Sequence, residues 1–104
     1  MKHKELFNLL KKINIPVAYD HFDDNKNLEP PFMAYREQAA NTFNADNKNY
    51  FLNKNFEIEL VTSKKDVELE EKIEELLNNN NISFDKSDEI WDKDEKIYHI
   101  FYEI

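Results

Sequence analysis

The sequence contains no glycine and no cysteine among its 104 residues. Without glycine, the chain cannot carry phosphate-binding loops, dinucleotide fingerprints or the nucleophile elbow as these motifs are usually written. Without cysteine, it has no disulfide, no thiolate metal ligand and no cysteine nucleophile. Left-handed turn positions must therefore fall to asparagine and aspartate, the residues that tolerate that conformation next best.

Long apolar runs and excess positive charge are also missing. No run approaches the ~20 apolar residues of a membrane-spanning helix, and the first residues lack the apolar stretch of a signal peptide. The 22 acidic residues outnumber the 14 basic ones and give a formal net charge of −8, which opposes binding to nucleic-acid backbones. We expect one cytosolic domain over residues 1–104, with no membrane partner and no sequence-specific nucleic acid.

The most regular stretch predicts a strand, a helix and a second strand. Asn55–Thr62 alternates apolar and polar residues, as a half-buried strand does. Val67–Asn78 has helical spacing with one apolar stripe, made of Leu69, Ile73, Leu76 and Leu77. The segment Thr62–Asp66 between them supplies N-cap chemistry. Alternation resumes at Ile82 and Phe84, so the helix must pack back on a sheet.

The remaining segments predict one more helix and more strands around that unit. The predicted helix covers Lys2–Asn14, and the predicted strands cover Pro16–Phe22, Phe32–Glu37, a third strand starting at Tyr50, Lys86–Trp91 and Lys96–Ile104. The predicted fold is α+β, with two helices packed on one face of a mixed, mostly antiparallel sheet of four to five strands. The expected element order is α-β-β-β-α-β-β.

No residue pattern indicates catalysis. His3, His21 and His99 lie on three different elements and form no metal-binding pair, so a surface or packing role is expected for each. Asp92 and Asp94 superficially resemble a calcium loop, but Ile97 occupies the position that requires glycine. We therefore predict no enzyme, no cofactor and no metal site.

Four segments in order resemble a known family. Pro16–Phe22, Pro31–Tyr35, Phe43–Tyr50 and Glu59–Glu70 are similar to small phage and prophage proteins of Gram-positive bacteria, which look like tail-completion or tail-terminator proteins. The resemblance covers essentially the whole chain. Members often carry glycine where this sequence has Asn14 and residues 23–27, which affects the turns rather than the assignment.

The resemblance implies a structural virion-assembly protein that forms a homo-oligomeric ring, commonly sixfold. Such a ring caps the phage tail tube and joins it to the head connector, so its expected partners are itself, the tail-tube protein and the head-connector protein. It would act in the virion, and in the host cytoplasm during assembly. DNA would pass through the lumen of the ring.

Two sets of residues are the candidates for those contacts. The interface candidates combine the loop before the third strand with one face of the last strand: Phe43, Asp46, Asn47, Tyr50, Ile97 and Phe101. Glu57 and Glu59 are the candidates for an acidic surface that faces either the lumen or solvent. The alternative from a different class is a monomeric acidic interaction or inhibitor protein of the nucleic-acid-mimic type, acting on a basic partner.

Overall fold

A mixed β-sheet with both helices on one face organises the chain. The computed structural model describes residues 2–20, 29–38 and 55–104. The elements within them are α1 (His3–Leu10), β1 (Val17–Tyr19), β2 (Phe32–Gln38), β3 (Asn55–Thr62), α2 (Val67–Asn79), β4 (Asp85–Lys86), β5 (Ile90–Asp92) and β6 (Ile97–Glu103). A 3₁₀ turn at Lys11–Ile13 extends α1. The described helices include none long and apolar enough to cross a membrane.

The strand order confirms the predicted α+β class and the mixed, mostly antiparallel sheet. The order is β1-β2-β3-β6-β4, and β5 also pairs with β6. Among the described strands, only β1 and β2 pair parallel, whereas β3 pairs antiparallel with both β2 and β6. The sheet has six strands, rather than the four to five expected.

The core lies between the helices and one sheet face. Helical spacing in α1 and α2 places apolar side chains against alternate residues of β2, β3 and β6. The main cluster contains Leu6, Leu10, Met33, Tyr35, Phe56, Ile58, Leu60, Leu69, Ile73, Leu77, Ile100 and Tyr102. The predicted stripe of α2 is thus confirmed at three of its four positions, and Leu76 is only half-buried.

The start of α2 confirms the predicted cap. Asp66 Oδ1 accepts a hydrogen bond of 3.1 Å from the backbone N–H of Leu69. This bond satisfies one of the backbone donors that a helix start leaves without an intrahelical partner. The polar segment before α2 is therefore a structural cap.

The extra strand arises because the predicted fourth strand is interrupted. Strands β4 and β5 pair with opposite ends of β6, and residues 87–89 separate them. Ser87 bridges the break, since its backbone N–H donates to the Phe101 carbonyl and its Oγ accepts from the Phe101 N–H. The Ser87 Oγ thus accepts a hydrogen bond that a backbone carbonyl would accept in a continuous strand. The alternation of apolar residues in the sequence does not reveal this substitution.

Several predicted boundaries need correction. The first helix ends earlier than Asn14, as an α-helix to Leu10 followed by the 3₁₀ turn. Ile82 and Phe84 pack against the core but precede β4 instead of forming a strand. The first strand stops at Tyr19. The predicted strand start at Tyr50 lies outside the described residues.

As predicted, asparagine and aspartate take most of the left-handed backbone positions. Asn14, Asp20 and Asn81 adopt positive φ angles of 70°, 69° and 58°, and they lie after the 3₁₀ turn, β1 and α2. Lys96 also has a positive φ of 58°, which the sequence did not predict. It closes the β5–β6 turn, and its N–H donates to the Asp92 carbonyl at 2.7 Å.

We predict that Lys96→Gly stabilises the protein by about 0.5–1 kcal/mol. A left-handed residue with a Cβ costs roughly 1–2 kcal/mol, and glycine removes that cost while losing roughly 0.5–1 kcal/mol through its greater freedom in the unfolded chain. Urea unfolding checks the change. Glu95→Gly in the same turn is the control: Glu95 lacks a positive φ, so this variant is expected to lose stability. Equal effects of both variants contradict the prediction.

Candidate interaction surface

The sheet face opposite the helices is the candidate surface, and we call it the open face. Its side chains alternate with the core residues and face the same way across neighbouring strands, as Ala34 and Glu59 or Glu59 and Phe101 do. No helix among the described residues packs on it. The open face includes Phe32, Ala34, Arg36, Gln38, Glu57, Glu59, Val61, Ile90, Ile97, His99 and Phe101.

Arg36 binds both predicted acidic residues on this face. Its Nη1 donates to Glu57 Oε1 at 2.6 Å and its Nη2 to Glu59 Oε1 at 3.0 Å. Gln38 Nε2 adds a bond of 3.1 Å to Glu57 Oε2. Burial alone would lower the pKa of Arg36. The hydrogen bonds that Arg36 donates to Glu59 and Glu57 outweigh the effect of burial, so the pKa of Arg36 is raised. The two carboxylates are thus partly neutralised and half-buried.

His99 extends the polar row on the other side of Glu59. The distance between His99 Nδ1 and Glu59 Oε2 is 2.7 Å, so Glu59 has one oxygen toward Arg36 and the other toward His99. The His99 ring lies nearly parallel to that of Phe101, with the centroids 6.5 Å apart. The structure thus brings together Arg36, Glu59 and His99, three residues that sequence spacing did not connect.

The polar row can orient a histidine, but the described residues provide little else for catalysis. A carboxylate next to an imidazole is half of a nucleophile-activating arrangement. No serine or threonine hydroxyl among the described residues bonds to His99, and these residues contain no cluster of three or more possible metal ligands.

Apolar residues flank the polar row. Ile97 and Phe101, two of the predicted interface residues, lie half-buried on the open face. Ala34 and Val61 are buried there without belonging to the main core cluster. The other predicted interface residues, Phe43, Asp46, Asn47 and Tyr50, lie outside the described residues. The interface and lumen assignments remain predictions.

A buried carboxylate joins the edge of the sheet to α2. Glu70 is only 5% exposed, and its two oxygens contact Lys65 at 3.0 Å and Lys86 at 2.8 Å. Lys86 also contacts Glu74 at 3.0 Å, and the Tyr102 hydroxyl donates to the same Glu74 oxygen at 3.0 Å. Like charges four residues apart on a helix repel each other, but Lys86 contacts both Glu70 and Glu74. The edge strand β4 is thereby held against α2.

The pKa values of this cluster follow from its geometry. Burial favours the neutral acid, but the hydrogen bonds from Lys86 and Lys65 outweigh burial and lower the pKa of Glu70. The hydrogen bond that Lys86 donates to Glu70 raises the pKa of Lys86. Burial, followed by the bond to Glu74, raises the pKa of Tyr102. Glu70 and Lys86 therefore stay charged at neutral pH, with Tyr102 as a neutral donor.

Sequence reasoning missed the burial of Glu70, although a signal was present. Glu70 precedes Ile73 and Leu77 by three and seven positions, so helical spacing places it on the apolar stripe. Its two lysines come from the turn before α2 and from β4. Their convergence depends on the crossover from β3 to β4, which spacing does not specify. His3 has the expected packing role, bonding the Tyr35 hydroxyl at 3.2 Å.

We predict that Glu70→Gln destabilises the protein by about 1–3 kcal/mol at neutral pH, because it leaves two lysines without their buried partner. The folded pKa of Glu70 is lowered, so its contribution is complete above the unfolded pKa and is lost as pH falls through the folded value. Chemical denaturation from pH 7 to pH 2 measures the difference from the parent chain.

The matched control is Glu75→Gln on the exposed side of the same helix, for which a change below about 0.5 kcal/mol is expected. The difference between the Glu70→Gln variant and the parent should shrink in acid. A difference that stays constant with pH, or that matches the control, contradicts the prediction.

No protein-family model, curated protein or solved structure matches the chain. The resemblance to phage tail-completion proteins therefore depends on the four sequence segments alone. What the structure supports is an α+β chain with two helices and a six-stranded mixed sheet.

Proposed function

We propose that this chain is a structural virion-assembly subunit of the tail-terminator or tail-completion type. As a ring, it would cap the phage tail tube and join it to the head connector. The observation that carries the proposal is the open face, where half-buried Ile97 and Phe101 flank an ordered polar row. The family resemblance supplies the kind of assembly.

The open face has the composition of a contact surface. Its centre is polar but internally satisfied, so a partner can cover it without leaving carboxylates unpaired. Its Phe101 and Arg36 side chains are of the types enriched at interfaces. The side chains are also held in place before contact, which lowers the entropy lost on binding.

A closed ring requires two different patches on each subunit. The open face is our choice for one patch, and the loop with Phe43, Asp46, Asn47 and Tyr50 is our choice for the other. Glu57 and Glu59 remain candidates for the lumen. Because Arg36 partly neutralises them, the repulsion of DNA would depend mainly on the net charge of −8.

A monomeric inhibitor of a basic protein is the second candidate. The observation that favours it is the outer side of α2, where Glu68, Glu71, Glu74 and Glu75 line a shallow cavity with one lysine, Lys72. This function predicts a salt-sensitive complex with a basic protein and no self-association. It does not use the open face.

Light scattering of the chain, alone and with tail-tube protein, tests the proposal. Phe101→Ala and Phe43→Ala should each raise the concentration needed for assembly roughly tenfold, equivalent to about 1.4 kcal/mol per contact. Val67→Ala is the control, because Val67 is exposed on α2, away from the open face. Thermal unfolding verifies that the variant monomers remain folded.

Assembly that is unaffected by Phe101→Ala contradicts the use of the open face. A chain that stays monomeric with the tail-tube protein present, yet binds a basic protein in a salt-sensitive way, supports the inhibitor function instead.

A further inference from the structure

The exposed edge of β5 carries two large apolar side chains. Ile90 is 51% exposed and Trp91 is 47% exposed. They are adjacent in a strand, so they point to opposite sides of the sheet. Strand β5 pairs with β6 on one side, and no described strand pairs with its other side. A solvent-exposed tryptophan at a free sheet edge is typical of a contact site.

A groove runs beside this edge onto the open face. It has a volume of about 500 Å³ and is lined by Glu59, Ile90, Trp91, Asp92, Lys93, His99 and Phe101. One wall of the groove is held in place, because Glu59 fixes His99. The Trp91 ring packs on Tyr98 at the other side of the edge, with the centroids 4.4 Å apart, so a segment lying along β5 reaches the groove and the Trp91 ring with alternate side chains. A preformed groove of this size accepts one or two side chains of an extended segment.

The charge around the groove selects the kind of partner. Between positions 85 and 96 the chain has six carboxylates and three lysines: Asp85, Asp88, Glu89, Asp92, Asp94 and Glu95 against Lys86, Lys93 and Lys96. Lys86 is already engaged by Glu70 and Glu74, and Glu89 by Lys65, which leaves five carboxylates and two lysines. Negative charge therefore prevails, and a second copy of a chain with net charge −8 is electrostatically disfavoured here.

We propose that this groove, which we call the β5 groove, binds a short, extended, basic segment of another protein. A lysine or arginine of that segment lies against the Trp91 ring, where the aromatic face attracts a cation. Its apolar residues cover Ile90, and the surrounding carboxylates provide long-range attraction. The inference goes beyond ring formation and does not depend on it, because the groove is complete within one subunit.

Trp91 is the only tryptophan of the chain, so its fluorescence reports directly on the β5 groove. The probe is a short synthetic peptide in which lysine alternates with leucine, and its matched control alternates glutamate with leucine. We expect a saturable change in Trp91 emission with the lysine peptide, weakened ~10-fold or more by high salt. The glutamate peptide should produce no saturable change.

Two variants locate the site. By calorimetry, Trp91→Ala should weaken binding of the lysine peptide ~10-fold or more, whereas Val67→Ala, another exposed apolar residue, should leave it unchanged. The double variant Asp88→Lys/Asp94→Lys retains the tryptophan and should weaken binding several-fold. Circular dichroism verifies that each variant folds.

The proposal is overturned if the glutamate peptide binds equally well, or if neither Trp91→Ala nor the charge variant weakens binding of the lysine peptide. It is also overturned if Trp91 emission changes only with the concentration of the protein itself, since that identifies a second copy as the occupant. Failure of ring assembly with peptide binding intact would contradict the proposed function alone.

Discussion

The structure depends on one constraint: among the described elements, two helices cover only one face of the sheet. Strand residues alternate between faces, so burying Ile58 and Leu60 under the helices places Glu57 and Glu59 on the other side. Those carboxylates lie in the middle of the sheet, where neighbouring strands partly cover them. Arg36 on β2 contacts both. The open face is therefore ordered by charge pairing, whereas the covered face is ordered by apolar packing.

Charge pairing also orders part of the sheet edge. Strand β4 is only two residues long and gains little from its backbone pairing, so Lys86 holds it to α2 through Glu70 and Glu74. Before strand β5, Glu89 contacts Lys65 at 3.0 Å, and β5 ends in a turn where Lys96 takes a left-handed conformation. The edge thus has a tightly held half and a half that presents Ile90 and Trp91 to solvent.

The sequence predicted the elements with strong periodicity and missed what depends on tertiary convergence. The stripe of α2, the alternation of β3 and the Asp66 cap are local patterns, and all three are confirmed. The interruption at Ser87 was missed because a serine side chain replaces a backbone acceptor. The burial of Glu70 was missed because its lysine partners come from two distant segments.

The candidate surface was only partly accessible to sequence reasoning. Alternation placed Ile97 and Phe101 on one strand face, but it did not show that Arg36 binds Glu57 and Glu59, or that Glu59 contacts His99. These contacts depend on the register of β2, β3 and β6, which side-chain alternation alone does not fix. Glu57 and Glu59, which were predicted to form an acidic surface, are both paired with Arg36 across the strands.

We propose that the open face is the contact surface of an assembly, and side-chain oxidative footprinting tests this proposal most directly. As light scattering shows the mass of the assembly rising, modification of Phe101 and Ile97 should fall, while modification of Val67 on α2 stays constant. An assembly that forms with Phe101 and Ile97 as reactive as in the monomer contradicts the account.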